Sequence, residues 1–550
     1  MPSYAPVTQL ETHEVLNQPP EFAGRNLYTS DISLCEAVQR EAGDWLDERC
    51  SKLGGAAGSE TMLLLGEQAN RYPPELATFD RYGRRLDEVR FHPAYHDLMT
   101  AAMDHEIHDI AWISKEQGRH VGHAALLAIF TQAEAGVMCP INMTYASVAA
   151  LRHAPDVTEP LLGKLLGGRY DAPLRPISEK RGITVGMAMT EKQGGSDVRA
   201  NTTRAIKTQE GERTYRLTGH KWFCSAPMSD AFLTLAYTEK GLSCFLAPRI
   251  SPDGTRNPVH LMRLKEKLGN RSNASAEIEY HDAFALLVGE EGRGVQTIID
   301  MVHHTRLGTM AATLGIMRMA LAQAIHQTRY RRAFQKSLID QATMRAVIAD
   351  LALEYEAAVA LTMHVARAFD AEDSEGKAYA RLVVALGKYW LTKRNPNFVY
   401  ECMECLGGAG YVEEGCLPRL FRESPLNAIW EGSGNVIALD VMRTMSKEPA
   451  ALDRYKAELH HARGADRHFV SRLADLDRFI ASRLGSESQA RGIAEHLALL
   501  LQAALLVRHA PSAVSSAFCA TRLSYEGFKA FGALPSGLDI EPILDRQLAD

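Results

Sequence analysis

Apolar side chains recur at helical spacing through residues 1–185, most densely over 91–136, between loops rich in Pro, Gly and Asp at 71–74 and 166–176. From about residue 186 the period changes. Residues 215–223, 232–238, 242–247 and 276–280 are short runs of β-formers separated by Gly, Pro, Asp and Asn turns. From 295 to about 445 the helical pattern returns in long Ala/Leu/Met stretches over 310–328, 342–369 and 379–392. Beyond it Leu452, Tyr455 and Leu459, then Leu473, Leu476, Phe479, Ile480 and Leu484, recur at three or four residues as an amphipathic pattern. The pattern predicts a mainly α protein with a central β-domain. Its units are an N-terminal helical domain (1–185), the β-domain (186–290), a helical bundle (291–445) and a C-terminal helical extension (446–550). There is no internal repeat or low-complexity tract.

The 550 residues are 46% hydrophobic and 23% charged, ordinary globular values. No run of 18 uncharged apolar residues is present, so no transmembrane helix is expected. The N-terminal residues lack a basic start followed by an apolar stretch and are poor in Arg, so the expected location is the cytoplasm. Nine cysteines are scattered and odd in number, which is no disulfide framework. Cys402 and Cys405 form a lone C-x-x-C without a second pair, so buried thiols are expected and no metal site. A formal net charge of -6 gives no overall attraction to polyanions; a nucleic-acid site would have to be a local patch.

Four segments carry candidate chemistry. Residues 189–197 (MTEKQGGSD) offer hydroxyls, a flexible Gly-Gly and several N–H groups able to approach a flat polar ring or a phosphate. Residues 219–225 (GHKWFCS) form an aromatic strand ending in a small hydroxyl residue. Residues 406–411 (LGGAGY) put three glycines in four positions after a helix, allowing close backbone approach to a pyrophosphate. They are not a G-x-G-x-x-G after a strand, so a Rossmann site is not indicated. Residues 429–435 (IWEGSGN) set one carboxylate, Glu431, on a tight turn. Each segment alone has an ordinary reading: a surface turn, a core strand, a helix cap, a solvated carboxylate. Their order and spacing make the signal.

Together the four resemble the acyl-CoA dehydrogenase family. Its T-E-x-x-x-G-S-D loop is similar to 190–197, and its G-x-K-x-W strand to Gly219–Trp222 with slightly different spacing. Its K-x-G-x-R segment is similar to 267–271, A-x-[VI]-x-[FY] to 276–280 and L-x-G-x-x-G-x-G to 287–294; L-G-G-x-G-Y and E-G-[ST] complete the set. The phrases RFHPA, NTTRA, KLGNRSNAS and IWEGSGN, and the block after residue 445, resemble the adaptive-response branch of that family. The resemblance covers nearly the whole chain and implies an FAD-binding flavoprotein with the acyl-CoA dehydrogenase fold. It implies that Met189, Thr190, Gly195 and Ser196 contact the flavin and its phosphates, and that Trp222, Phe223, Cys224 and Ser225 lie against the ring. Ile429, Trp430, Gly432, Ser433, Gly434 and Asn435 would complete the site. Leu406, Gly407 and Gly408 would reach the pyrophosphate of an adjacent subunit's cofactor, and Arg331, Phe334 and Gln341 would touch a neighbour's FAD, which implies a homotetramer. Glu431 would be the catalytic base. One departure stands out: where the family has R-x-x-F-G, this chain has Gln335 for Gly and then Ser337 where Pro is common. That puts the local turn, not the fold, in question.

The chemistry implied is removal of an acyl-CoA α-proton by a carboxylate as the β-hydrogen leaves to the flavin. Two functions compete. One is a dehydrogenase of short or branched acyl-CoA, isovaleryl-CoA-like. The other, favoured by the branch resemblance, is a flavoprotein of the DNA-alkylation response with weak double-stranded DNA binding and weak dehydrogenase activity. Residues 451–550 carry twelve Lys/Arg and twelve Asp/Glu, so the extension is not a basic domain. A local patch is expected at Arg463, Arg467 and Arg472, with 463 and 467 sharing one face of a predicted helix.

Overall fold

The computed structural model describes residues 6–462, 464, 466–524 and 530–548. Helices lead: Ile32–Ala42, Asp47–Ala57, Glu60–Arg71, Pro93–Asp104, Arg119–Thr131 and Met138–Leu151. Arg119–Thr131 and Met138–Leu151 are buried almost throughout, which their unbroken Ala/Leu/Ile/Met/Val composition requires. An antiparallel hairpin, Glu75–Phe79 with Arg85–Arg90, interrupts this helical region where the sequence pattern gave no strand signal. Its charged Arg-Leu-Asp-Glu-Val-Arg strand alternates too weakly to register.

The β-domain contains seven strands in one sheet. In order these are Val185–Ala188, Ala231–Thr238, Arg204–Lys207, Thr214–Ser225, Ser275–Val288 and Gly241–Pro248, with Val259–Leu264 added on Ser275–Val288. Ala231–Thr238 also pairs antiparallel with Gly241–Pro248, so the path closes on itself and leaves a central apolar core. The four strands with strong β-former runs match the sequence pattern. The other three are too short or too polar to stand out, as in Arg-Ala-Ile-Lys at 204–207.

The bundle is built on Gly294–Tyr330, Ala342–Ala368 and Ser374–Cys405. Helix Gly434–Lys447 follows the irregular segment that carries Glu431. Helix Ala490–His509 is apolar enough to cross a membrane by composition, yet two thirds of that window is buried in the molecule. Its Ile493, Leu497, Leu500, Leu501, Leu505 and Leu506 join the same core as the bundle, worth on the order of 10 kcal/mol of apolar burial. Arg522 ties this block to Asp350 at 2.7 Å and Glu354 at 3.0 Å, and Tyr455 donates to the Leu497 carbonyl at 2.7 Å. The C-terminal extension is therefore continuous with the bundle core.

Candidate active site

Strand Thr214–Ser225 pairs with Ser275–Val288 with two register shifts, one between Leu217 and Thr218 and a second after Lys221. At that break the Trp222 N–H turns away and donates to the Thr190 carbonyl at 2.7 Å. The aromatic segment and the 189–197 loop are thereby brought side by side. A buried ion pair fixes the junction: Lys221 Nζ lies 2.9 Å from Glu191 Oε1 and donates to the Leu235 carbonyl. Glu191 also accepts from the Thr203 hydroxyl at 2.6 Å and the Thr202 N–H at 2.6 Å. Burial pushes this carboxyl up, but Lys221 and Thr203 outweigh it and hold it down to about 2. Glu191 is thus the loop's anchor, a role its place in the motif did not reveal.

Most of the groups expected to meet a cofactor stand clear of the core, but the Cys224 side chain, expected against the ring, is fully buried in the sheet core. Phe223 is 50% exposed although it lies on a core strand, while its neighbour Cys224 is buried. Gly195 packs so closely on Thr190 that a Cβ there would come within 2.3 Å of the Thr190 hydroxyl, so only glycine permits this fold of the loop. Ser196 is exposed, and Met189, Thr190, Trp222 and Ser225 are half-buried. Lys265 Nζ sits 3.2 Å from the Trp222 ring centroid and 2.6 Å from Glu277, giving the strand a cationic flank.

Glu431 lies in the turn between the short Leu426–Ala428 helix and helix Gly434–Lys447. Its φ of 56° is left-handed, a conformation costing about 1–2 kcal/mol for a residue with a Cβ. The carbonyls of the turn account for its persistence. Lys388 donates to those of Trp430, at 2.8 Å, and Gly432, and Arg306 Nε donates to that of Glu431 at 3.2 Å. Hydrogen bonds to charged donors contribute about 1.5–3 kcal/mol each, enough to offset the strain. Arg306 is itself held by Asp440 at 2.7 Å. The Glu431 carboxylate meets the Thr305 hydroxyl at 2.6 Å. Burial raises its pKa, and the Thr305 hydrogen bond, Lys388 and Arg306 oppose the rise. Lys388 is pulled down to about 7, first by burial and then by Arg306, with Glu431 opposing.

Cys139 links this turn to the β-domain. Its thiol is pushed up to about 12 by burial; Lys267 opposes the rise, Glu431 adds to it, and the Ser225 side chain faces it. Ser225 hydrogen-bonds with this thiol, and Glu431 acts on it electrostatically from the other domain. Trp430 is half-buried with its indole N–H donated to Asn427 at 2.9 Å, a packing role. Ile429 is 64% exposed; Ser433 and Asn435 are exposed, and Gly434 is buried at the helix start, where a Cβ would meet Lys393.

Two further candidate sets stand apart from this convergence. Arg331 to Ser337 forms a hairpin whose tip residues Phe334 and Gln335 have φ of 51° and 67°. The tight left-handed turn forms despite Gln in place of Gly, and Phe334 is 92% exposed at its apex. Gln341 closes it by donating to the Ala333 carbonyl at 3.2 Å, and Arg331 donates to the Asn17 carbonyl at 2.8 Å. Leu406 caps helix Ser374–Cys405; Gly407, at φ 61°, and Gly408 have open space where a Cβ would project, and Tyr411 beyond them is 80% exposed.

The arginine patch expected after residue 445 is not assembled as predicted. Helix Arg467–Ala474 begins at Arg467, where Asp466 caps it by accepting from the His468 and Phe469 N–H groups. The helix that carries Arg467 starts at that residue, and Arg463, the other half of the expected face, lies outside the described residues. Arg472 turns inward and donates to the Leu523 carbonyl at 2.8 Å, while Arg467 is exposed. The missed signal was the Gly464-Ala465-Asp466 interruption, which marks a helix start.

Family models match three segments: the N-terminal domain of the adaptive response protein AidB over residues 17–172, the acyl-CoA dehydrogenase middle domain over 186–283 and the acyl-CoA dehydrogenase C-terminal domain over 292–446. The chain is 44% identical over 523 residues to AidB of Escherichia coli (strain K12), covering 94% of this chain and 95% of that one. Among solved structures, Caenorhabditis elegans ACDH-11 in complex with C11-CoA superposes with a TM-score of 0.83 at 27% identity, covering 94% of this chain and 92% of that one. The protein called Bd2924, in its apo form, gives 0.82 at 27% identity, with 90% and 99% covered. This chain belongs to the acyl-CoA dehydrogenase family, in its AidB branch. Members of that family are FAD-dependent flavoproteins, and FAD is the cofactor. The residues present fit it: the half-exposed Phe223, the glycine-tight Thr190–Gly195 loop and the open glycines at 407–408 are surfaces a ring and a pyrophosphate would cover.

Proposed function

We propose that the protein is an FAD-dependent acyl-CoA dehydrogenase-type oxidoreductase in which Glu431 is the base. The observation that carries this reading is the Glu431 turn. A left-handed turn, held at its carbonyls by cations from two helices, sets a carboxylate against the Thr305 hydroxyl. In this reading Met189, Thr190, Gly195, Ser196 and the Trp222–Ser225 strand hold the ring and phosphates, and Ile429 and Gly432–Asn435 complete the site. FAD supplies the two-electron acceptor for a β-hydrogen leaving as hydride. The protein's own work is proton abstraction: the Glu431 carboxylate removes the α-proton, and its raised pKa suits it to accept a proton near neutral pH. Thr305, Arg306 and Lys388 hold it in one orientation. The acyl-CoA substrate class is supported by the C11-CoA complex of the C. elegans relative. The test is anaerobic mixing of the holoprotein with a series of straight and branched acyl-CoAs, followed by flavin bleaching; bleaching by at least one supports the reading, and none across the series contradicts it.

The exposed Phe334, Tyr411 and Gly407–Gly408 support a homotetramer in which each copy completes a neighbour's cofactor site. Light scattering should then give four chains, and Phe334→Asp should shift the protein to smaller species. A role in the DNA-alkylation response is supported by the adaptive-response relatives, and weak duplex binding by the exposed Arg467. A salt series of duplex retardation with Arg467→Glu tests that second role; no retardation at low salt removes it.

A further inference from the structure

Helix Ser374–Cys405 is lined inward by Leu382, Val383, Val384, Ala385 and Leu386, and one lysine is buried among them. Lys388 is 1% exposed, and among the described residues no carboxylate lies within ion-pair distance of its ammonium, Glu431 acting on it only from further away. A buried charge without a carboxylate persists only if other groups replace its hydration. Here those groups are the carbonyl oxygens of Trp430 and Gly432, the residues on either side of Glu431. The carbonyl between them, that of Glu431, is taken by Arg306 from helix Gly294–Tyr330. Three successive carbonyls thus point at cations from two helices. Arg306 has Asp440 as a partner, and both Lys388 donations go to the turn.

We propose that Lys388 is a positioning residue: by tying down the carbonyls on both sides of Glu431 it holds the left-handed turn that keeps the carboxylate at Thr305. Its catalytic consequence rests on the reading of Glu431 as base; the turn-holding itself does not. Burial, and then Arg306, lower the lysine's affinity for its proton, and either protonation state keeps the two N–H donors that the two carbonyls need.

The experiment compares wild type, Lys388→Met and Lys388→Arg holoprotein by hydrogen–deuterium exchange and by stopped-flow flavin reduction. In Lys388→Met the amides of 430–434 should exchange at least ~10-fold faster, with other peptides and the FAD-to-protein ratio unchanged. Flavin reduction at saturating acyl-CoA should slow by roughly 10²-fold while half-saturation moves little, the mark of misplacement and not of lost binding. Lys388→Arg, which keeps charge and donors, should restore both. Unchanged protection at 430–434 in Lys388→Met overturns the proposal. So does acceleration spread over the whole bundle, because the lysine would then support the core and not the turn. If Lys388→Met does not fold, Lys388→Ala is measured by the same criteria, since it too removes the donors. Faster exchange at 430–434 together with a wild-type flavin that no acyl-CoA bleaches leaves the turn-holding intact and removes Glu431 as base.

Discussion

Two glutamates eight residues apart, Glu423 at the end of helix Leu417–Glu423 and Glu431 in the turn beyond it, are both raised in pKa by burial, and they meet different surroundings. Glu423 is sealed. After burial, another carboxylate, Glu134, raises it most, while Arg419 and Lys267 oppose the rise, and it accepts the Asn270 N–H at 2.6 Å. Glu134 in turn accepts from Asn70 and Ser272, each at 2.8 Å, and from the Val137 N–H at 2.7 Å. The pair pins the N-terminal helices, the β-domain and the bundle together. Glu431 is half-buried, faces cations and a hydroxyl, and sits in a turn with left-handed backbone. Burial therefore does not by itself define a base. A carboxylate used in chemistry is one whose charged form is supported and whose oxygen is reachable, whereas a carboxylate beside another carboxylate holds a proton as part of the structure.

The largest effect that separates the two belongs to Glu431. Glu431→Gln should lower acyl-CoA-dependent flavin reduction by at least ~10²-fold while FAD content and melting temperature stay near wild type. Glu423→Gln should leave that rate within an order of magnitude, as measured in the same stopped-flow traces. Equal losses in both variants would erase the distinction.

A smaller effect is expected in stability. The Glu423 carboxyl is pushed from the ordinary 4.5 up to about 7, first by burial and then by Glu134. Its folded-state pKa is raised, so its contribution is fully present below the unfolded value and is lost as pH rises through about 7. Wild type should lose on the order of 1–3 kcal/mol of stability between pH 5 and 8 that Glu423→Gln does not lose. Denaturant melts at the two pH values test this; parallel pH dependence in both proteins would show that another group carries the proton.

The smallest expected signal is a displacement in pH. Since burial raises the Glu431 pKa, the rising limb of the wild-type reduction rate should lie above the ordinary carboxylate value of 4.5. A limb at or below that value would mean that Thr305, Lys388 and Arg306 outweigh burial.

Much of this was legible in the sequence because the family's motifs are contiguous phrases. The change of hydrophobic period near 186 marks the β-domain, and the IWEGSGN phrase marks Glu431. What was not legible depends on residues far apart in the chain. Lys388 reads as one polar position in a helix, and only the fold brings it under a turn some forty residues later. Thr305 and Arg306 lie inside a long helix with no local mark, and Glu134 and Glu423 meet only in three dimensions. The arginine patch failed for the reverse reason. Spacing along an assumed helix was read as a face, while Asp466 starts the helix at Arg467 and Arg472 is drawn inward by a carbonyl.

Removal of an acyl-CoA α-proton by the Glu431 carboxylate is tested by anaerobic flavin reduction of wild type and Glu431→Gln with an acyl-CoA carrying protium or deuterium at the α-carbon. α-Deuteration should slow wild-type bleaching severalfold, and Glu431→Gln should bleach at least ~10²-fold more slowly with either isotopologue. Bleaching of Glu431→Gln at the wild-type rate would contradict proton removal by Glu431.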